Sequence, residues 1–168
     1  IARRFNNRFG EFFTEPHALF EKIPKIYSLK APAKKMSNSH APDSYIGLLD
    51  NADMVEEKIK GAVTDSGNEI VYDPATKPAL AHLIELLHLA SDQPIETIEK
   101  EYCSAGYADF KKTVATAINK MLSPIQERFH SYKPADVKTA LAEGTERAHK
   151  IAKKSLEEIK SQIGLFTL

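Results

Sequence analysis

One cysteine, Cys103, stands in 168 residues, so no disulfide can close within the chain, and the composition fits a reducing, cytoplasmic compartment. Net charge is missing as well: 23 basic and 23 acidic side chains balance to zero. A neutral chain exerts no long-range pull on polyanions, so any contact with nucleic acid has to come from a local basic patch. No apolar run approaches the ~20 residues of a membrane span, and no repeat or low-complexity stretch is present. The six histidines lack ligand spacing; His82 and His88 are six apart and do not share a helix face, so no metal site is expected. Cys103 has no neighbouring His or second Cys and reads as a small buried or half-buried residue rather than a nucleophile.

What is there is mostly helical pattern. Ile1, Phe5 and Phe9 share one stripe and Arg4 and Arg8 another, ending at Gly10. The chain thus opens, without Met, inside an amphipathic helix, and the expectation is a fragment whose N-terminal part held the rest of a site. A loop is expected from Phe12 to Pro24, then a strand over Lys25–Leu29, then a polar loop through Pro42 and Asp43. Asp50 is the expected N-cap of a helix burying Ala52, Val55, Ile59 and Ala62 and ending near Thr64. A turn over Asp65–Glu69 precedes a helix opened by Pro78 and apolar on most sides, then a short helix from Pro94 to Tyr102. The longest pattern, Tyr107 to Tyr132, aligns Phe110, Val114, Ala117, Ile118, Met121, Leu122, Ile125 and Phe129, with Pro124 expected to bend it. Two further helices are expected: one from Pro134 to near Gly144, and one from Thr145 to Gln162 with Ala148, Ile151, Ala152, Ser155, Ile159 and Ile163 facing inward. The fold class is therefore mainly α: a helical bundle over residues 50–168, preceded by a small α/β remnant over residues 1–49.

The stretch with most chemistry is Lys34-Lys35-Met36-Ser37-Asn38-Ser39, which leaves the expected strand directly. Its hydroxyls and backbone N–H groups can bond phosphate oxygens, and its ammonium groups can neutralise them. The end of a strand is also where α/β folds place ligands. Two later basic clusters, Arg128 with His130 and Lys133, and Arg147 with Lys150 and Lys154, are either solvated helix faces or RNA contacts.

Lys35-Met36-Ser37-Asn38-Ser39 resembles the Lys-Met-Ser-Lys-Ser signature of class I aminoacyl-tRNA synthetases. The flanks narrow this to the bacterial tryptophanyl-tRNA synthetases. Ala2 to Glu11 resembles their helix before the loop. Ile46–Asp50, Lys58–Lys60 and Ala62-Val63-Thr64-Asp65-Ser66 are similar to the stretch after it, Ser123–Phe129 to their long helix, and Glu143–Ala152 to their last. The resemblance implies the C-terminal portion of an enzyme that activates tryptophan with ATP, as its Mg2+ complex, and transfers it to tRNA(Trp). It implies a homodimer, a Rossmann-like catalytic domain ending within residues 1–49, and an anticodon-side helical domain over residues 50–168. It assigns ATP binding to Ile26 (at the adenine), Lys35, Met36, Ser37, Asn38 and Ser39, with Lys35 the catalytic cation. It permits tRNA contact at Arg147, Lys150 and Lys154. Two departures matter. Asn38 replaces the second signature lysine, and the family's His-Ile-Gly-His-like signature and tryptophan pocket are not among these residues. The alternative is a non-catalytic tRNA-binding or scaffold module.

Overall fold

The computed structural model describes residues 1–20, 23 and 25–165 of the chain; Pro24, the expected end of the loop from Phe12, lies outside them. The described residues hold six α-helices and no strand, which is the mainly α fold expected: α1 (Ala2–Phe9), α2 (Ala52–Lys60), α3 (Pro78–Ser91), α4 (Ile95–Tyr102), α5 (Tyr107–Ser131) and α6 (Pro134–Gln162). They fall into two compact units, Glu21–Ser131 and the combination of Ile1–Phe20 with Tyr132–Leu168.

In the first unit, α5 packs against α2 and α3, and α3 against α4. The core is built from Val55 and Ile59 of α2, Leu80, Leu83, Ile84 and Leu87 of α3, Ile98 of α4, and Phe110, Val114, Ile118 and Leu122 of α5, all buried. Phe110 is its largest fully buried side chain; truncating such a residue to Ala costs about 3–5 kcal/mol. Local chemistry sets the helix ends. Asn51, one residue later than expected, is the N-cap of α2, its side chain accepting from Met54 N at 2.9 Å. Pro78 opens α3 as expected, and Asp92, at φ 59°, closes it in the left-handed region. Pro124 is accommodated inside a continuous α5. Of the apolar stripe of α5, Phe110, Val114, Ile118 and Leu122 are buried, Ala117 is half-buried, and Met121, Ile125 and Phe129 are exposed.

The expected strand is reduced to one antiparallel bridge, Tyr27 to Lys35. Ser28 N donates to Lys34 O at 2.8 Å and Met36 N to Ile26 O at 2.9 Å, so the segment folds back on the loop that follows it. Leu29, buried, ties this hairpin down. Its N–H donates to Ser44 O at 3.0 Å and its carbonyl accepts from Val63 N at 2.8 Å.

In the second unit, Asn6 of α1 organises the turn after it. Its Oδ1 accepts from Phe12 N and Phe13 N, and its Nδ2 donates to Phe13 O at 2.7 Å. Phe5 packs edge-on against Phe13 at 5.0 Å between ring centroids and beside Phe9 at 5.1 Å. Gln162 Nε2, at the end of α6, donates to Phe9 O at 2.8 Å. Two of the sequence expectations are corrected here. Gly144 does not stop a helix; α6 runs through it without interruption. Nor does the stripe from Ala148 to Ile163 face inward: no residue of α6 is buried, and Ile151 is 68% exposed. Two helices and a turn supply too little surface to bury such a stripe.

Candidate functional site

Turn chemistry presents the lysine loop. Ser28 Oγ, buried, accepts from Lys30 N at 3.3 Å and Ala31 N at 3.2 Å, and Lys34 N donates to Ala31 O at 2.8 Å, closing a tight turn around Pro32. The hairpin then delivers Lys34 and Lys35 into solvent, where neither forms an ion pair among the described residues. Met36, partly buried, packs on the core. Beyond it Ser37 Oγ accepts from Ser39 N at 3.2 Å, and His40 N donates to Ser37 O at 3.3 Å. The chain therefore curls so that hydroxyls and backbone donors sit beside two free ammonium groups, an arrangement suited to anions.

The loop faces an open hollow of about 590 Å³, lined by Met36, Ser37 and Asn38 on one side and by Tyr45–Asp50 on the other. That opposite wall is stiffly held. Asp50 Oδ2 accepts from Gly47 N at 2.7 Å and from Lys58 Nζ at 2.5 Å, in an ion pair whose side chains are each about 10% exposed. The Lys58 ammonium also lies 5.0 Å from the centre of the Tyr45 ring. From α5, Gln126 Nε2 donates to Leu48 O at 3.0 Å and Asp50 O at 2.8 Å. Lys58 and Gln126 were not singled out from the sequence. Each stood inside a segment that carried the family resemblance, but only the fold turns both toward one wall.

Ile26 lies in the same hairpin with its carbonyl committed to Met36 N and its side chain partly exposed. His82 of α3 lies nearby in the core, with the Tyr27 ring edge-on at 5.9 Å and neither ring nitrogen hydrogen-bonded among the described residues. His88 differs, its Nδ1 lying 2.6 Å from Gln93 O. Cys103, expected to be buried or half-buried, is exposed, because it lies in the turn after α4. Arg147 and Lys150 share a shallow exposed face of α6 with Glu143 and Glu146, and Lys154 pairs with Glu158 at 3.9 Å; both are remote in sequence from the loop. Among the described residues no three His, Cys, Asp or Glu side chains group as a metal site.

Behind the loop, a second set of polar contacts fixes the segment Ala62–Ser66. Tyr107 Oη of α5 donates to Asp65 Oδ1, and Asp65 Oδ1 also accepts from Gly67 N at 2.7 Å. The phenol bond holds the Asp65 carboxyl below its ordinary range, while burial and this carboxylate push the Tyr107 phenol up to about 12. Lys30 Nζ donates to Gly61 O and Lys111 Nζ to Ala62 O, each at 2.7 Å, so two ammonium groups close the carbonyl end of α2.

Residues 1–123 match the family described as tRNA synthetases class I (W and Y). The chain belongs to that family. Over 98% of its length this synthetase chain is 36% identical to a tryptophan–tRNA ligase of Halalkalibacterium halodurans and 38% identical to one of Caldanaerobacter subterraneus subsp. tengcongensis. It superposes on the crystal structure of a tryptophanyl-tRNA synthetase from Mycoplasma pneumoniae with a TM-score of 0.87 at 26% identity, covering 98% of this chain and 51% of that one. A Campylobacter jejuni tryptophanyl-tRNA synthetase, solved with ADP and tryptophan, gives a TM-score of 0.66 at 26% identity, also over 51% of its length. The synthetase chain thus spans about half the length of the curated relatives it matches, 51% in the two named.

Proposed function

We propose that this chain supplies the phosphate loop and the helical RNA side of a tryptophan–tRNA ligase, which activates tryptophan with ATP and passes it to tRNA(Trp). The observation that carries the reading is the lysine loop, Lys35–Ser39, whose Met36, Ser37 and Asn38 line a hollow with a rigid opposite wall. Adenylate formation expels pyrophosphate, so negative charge has to be stabilised as it moves onto the leaving group. In this reading Lys35 is the cation on the phosphates, Ser37, Ser39 and the backbone around Asn38 donate to phosphate oxygens, Met36 anchors the loop, and the Ile26 backbone borders the adenine. Magnesium arrives with ATP as part of the substrate. Residues 1–49 then end the catalytic domain and residues 50–168 form the anticodon-side domain, with Arg147, Lys150 and Lys154 of α6 offering phosphate contacts. The whole enzyme works as a homodimer in the cytoplasm.

The test is amino-acid-dependent ATP–pyrophosphate exchange by the longer protein that carries this chain. Exchange with tryptophan and not with tyrosine is expected; exchange with tyrosine alone rejects the substrate. Asn38, which brings no charge where the signature has lysine, favours a second reading, a tRNA-binding module without chemistry. Tight tRNA binding with no exchange for any amino acid would select it.

A further inference from the structure

His82 of α3 is only 3% exposed, yet both of its ring nitrogens lack a hydrogen-bond partner among the described residues. A buried imidazole left wholly unsatisfied is costly, so its presence calls for a role. Glu85, one turn along α3, holds Oε2 3.8 Å from His82 Nδ1. Its other oxygen, Oε1, accepts from Tyr72 Oη at 2.9 Å, and burial and this carboxylate push the Tyr72 phenol up to about 12. A carboxylate held in this way favours the imidazole tautomer with its proton on Nδ1, which leaves Nε2 an acceptor. A narrow cleft is lined by His82 and Ala79 of α3 and by Ser28 and Pro32 of the lysine hairpin. It has no room for a water molecule, so solvent does not satisfy the ring there. Ser28, 2% exposed, accepts at Oγ from Lys30 N and Ala31 N, while its own hydroxyl proton goes to no acceptor among the described residues. An unspent donor and an unspent acceptor thus line the same cleft.

We propose that His82 is a positioning residue for the lysine loop. When the hairpin settles onto α3 and closes the cleft, the Ser28 hydroxyl donates to His82 Nε2 while Nδ1–H donates to Glu85. Ser28 Oγ also holds the turn at Lys30 and Ala31, and Tyr27 is bridged to Lys35, so the settling carries Lys35 with it. Phosphates drawn to Lys34 and Lys35 favour the settled hairpin, and by linkage the Ser28–His82 bond favours the loop's hold on the phosphates. His82 touches no reacting atom; it acts through Ser28 and the hairpin. The proposal rests on the reading of the loop given above and deepens it, naming the group that sets where Lys35 is held.

The experiment measures tryptophan-dependent ATP–pyrophosphate exchange and thermal melting of the longer protein, for the parent, H82L, H82N, S28A and S28A/H82L. H82L should lower kcat about tenfold with the tryptophan KM unchanged. It should also melt no lower than the parent, because an apolar side chain replaces an unsatisfied polar one. Asn offers both a donor and an acceptor, so H82N should restore most of the rate. S28A/H82L should be no slower than the slower single variant, since each change removes the same bond. Parental kcat in H82L, losses that add in the double variant, or a loss that H82N does not relieve would each overturn the role of His82 while the loop reading stands. A lower melting temperature in H82L would make the ring a packing group and overturn it too. If the parent exchanges with no amino acid, the loop reading falls and this proposal falls with it.

Discussion

Tyr107 Oη lies 2.6 Å from Asp65 Oδ1, joining the first turn of α5 to a segment 42 residues earlier in the chain. The other carboxylate oxygen of Asp65 is buried and makes no hydrogen bond among the described residues. The phenol is therefore the main support of a carboxylate that fixes the turn after α2. Y107F should cost about 1–2 kcal/mol of unfolding free energy near neutral pH, measured by urea denaturation. The pH dependence follows from the direction of each shift. Asp65 is held below its ordinary range in the fold, so its contribution is complete above the unfolded value of about 4 and disappears as pH falls through the folded value. Tyr107 is raised to about 12, so its contribution is complete below the unfolded value of about 10 and disappears between the two. The gap between parent and Y107F should narrow at both extremes; a gap that is flat with pH would show that the bond is not what stabilises the turn.

The Asp50–Lys58 pair is the electrostatic support of the hollow's far wall. K58M leaves Asp50 buried with only the Gly47 N–H, and should cost about 3 kcal/mol. D50N/K58M removes both charges and should recover much of that loss in the same denaturation experiment. A single variant with parental stability would place the pair in water rather than in the wall.

Gly144 lies mid-helix in α6, and a Cβ built there meets nothing within 4 Å. G144A should stabilise the chain by about 0.5–1 kcal/mol through lower backbone entropy in the unfolded state. A drop in the thermal midpoint would mean that the helix breaks at Gly144 in solution.

The helical half of the fold was legible because its signals are local. Pro78 at a first turn, and the Phe110-Val114-Ile118-Leu122 spacing, name their elements without help from the rest of the chain. Misreadings arose where tertiary context decides. A glycine in a 29-residue helix looks like a stop until its neighbours are seen to continue the helix. The α6 stripe looks like a core face, yet none of its residues is buried. The lysine loop was visible as a run of residues. The wall opposite it was not, because Lys58 and Gln126 reach Asp50 from two different helices, eight and 76 residues away.

Asn38 brings an amide where the signature carries a cation, and it lines the hollow. At about 4 Å and an effective dielectric near 20, one charge pair is worth about 4 kcal/mol before desolvation. N38K in the longer protein should therefore speed tryptophan-dependent adenylate formation in single-turnover assays. An unchanged rate would show that Lys34 already supplies the missing charge.

Single-turnover adenylate formation by the longer protein, with and without K35A, probes the loop most directly. A loss of about 10²–10³ in rate, with tryptophan affinity unchanged, is expected if the Lys35 ammonium stabilises the departing pyrophosphate. Parental rates in K35A would mean that this lysine, exposed and without an ion pair among the described residues, has no role in the chemistry.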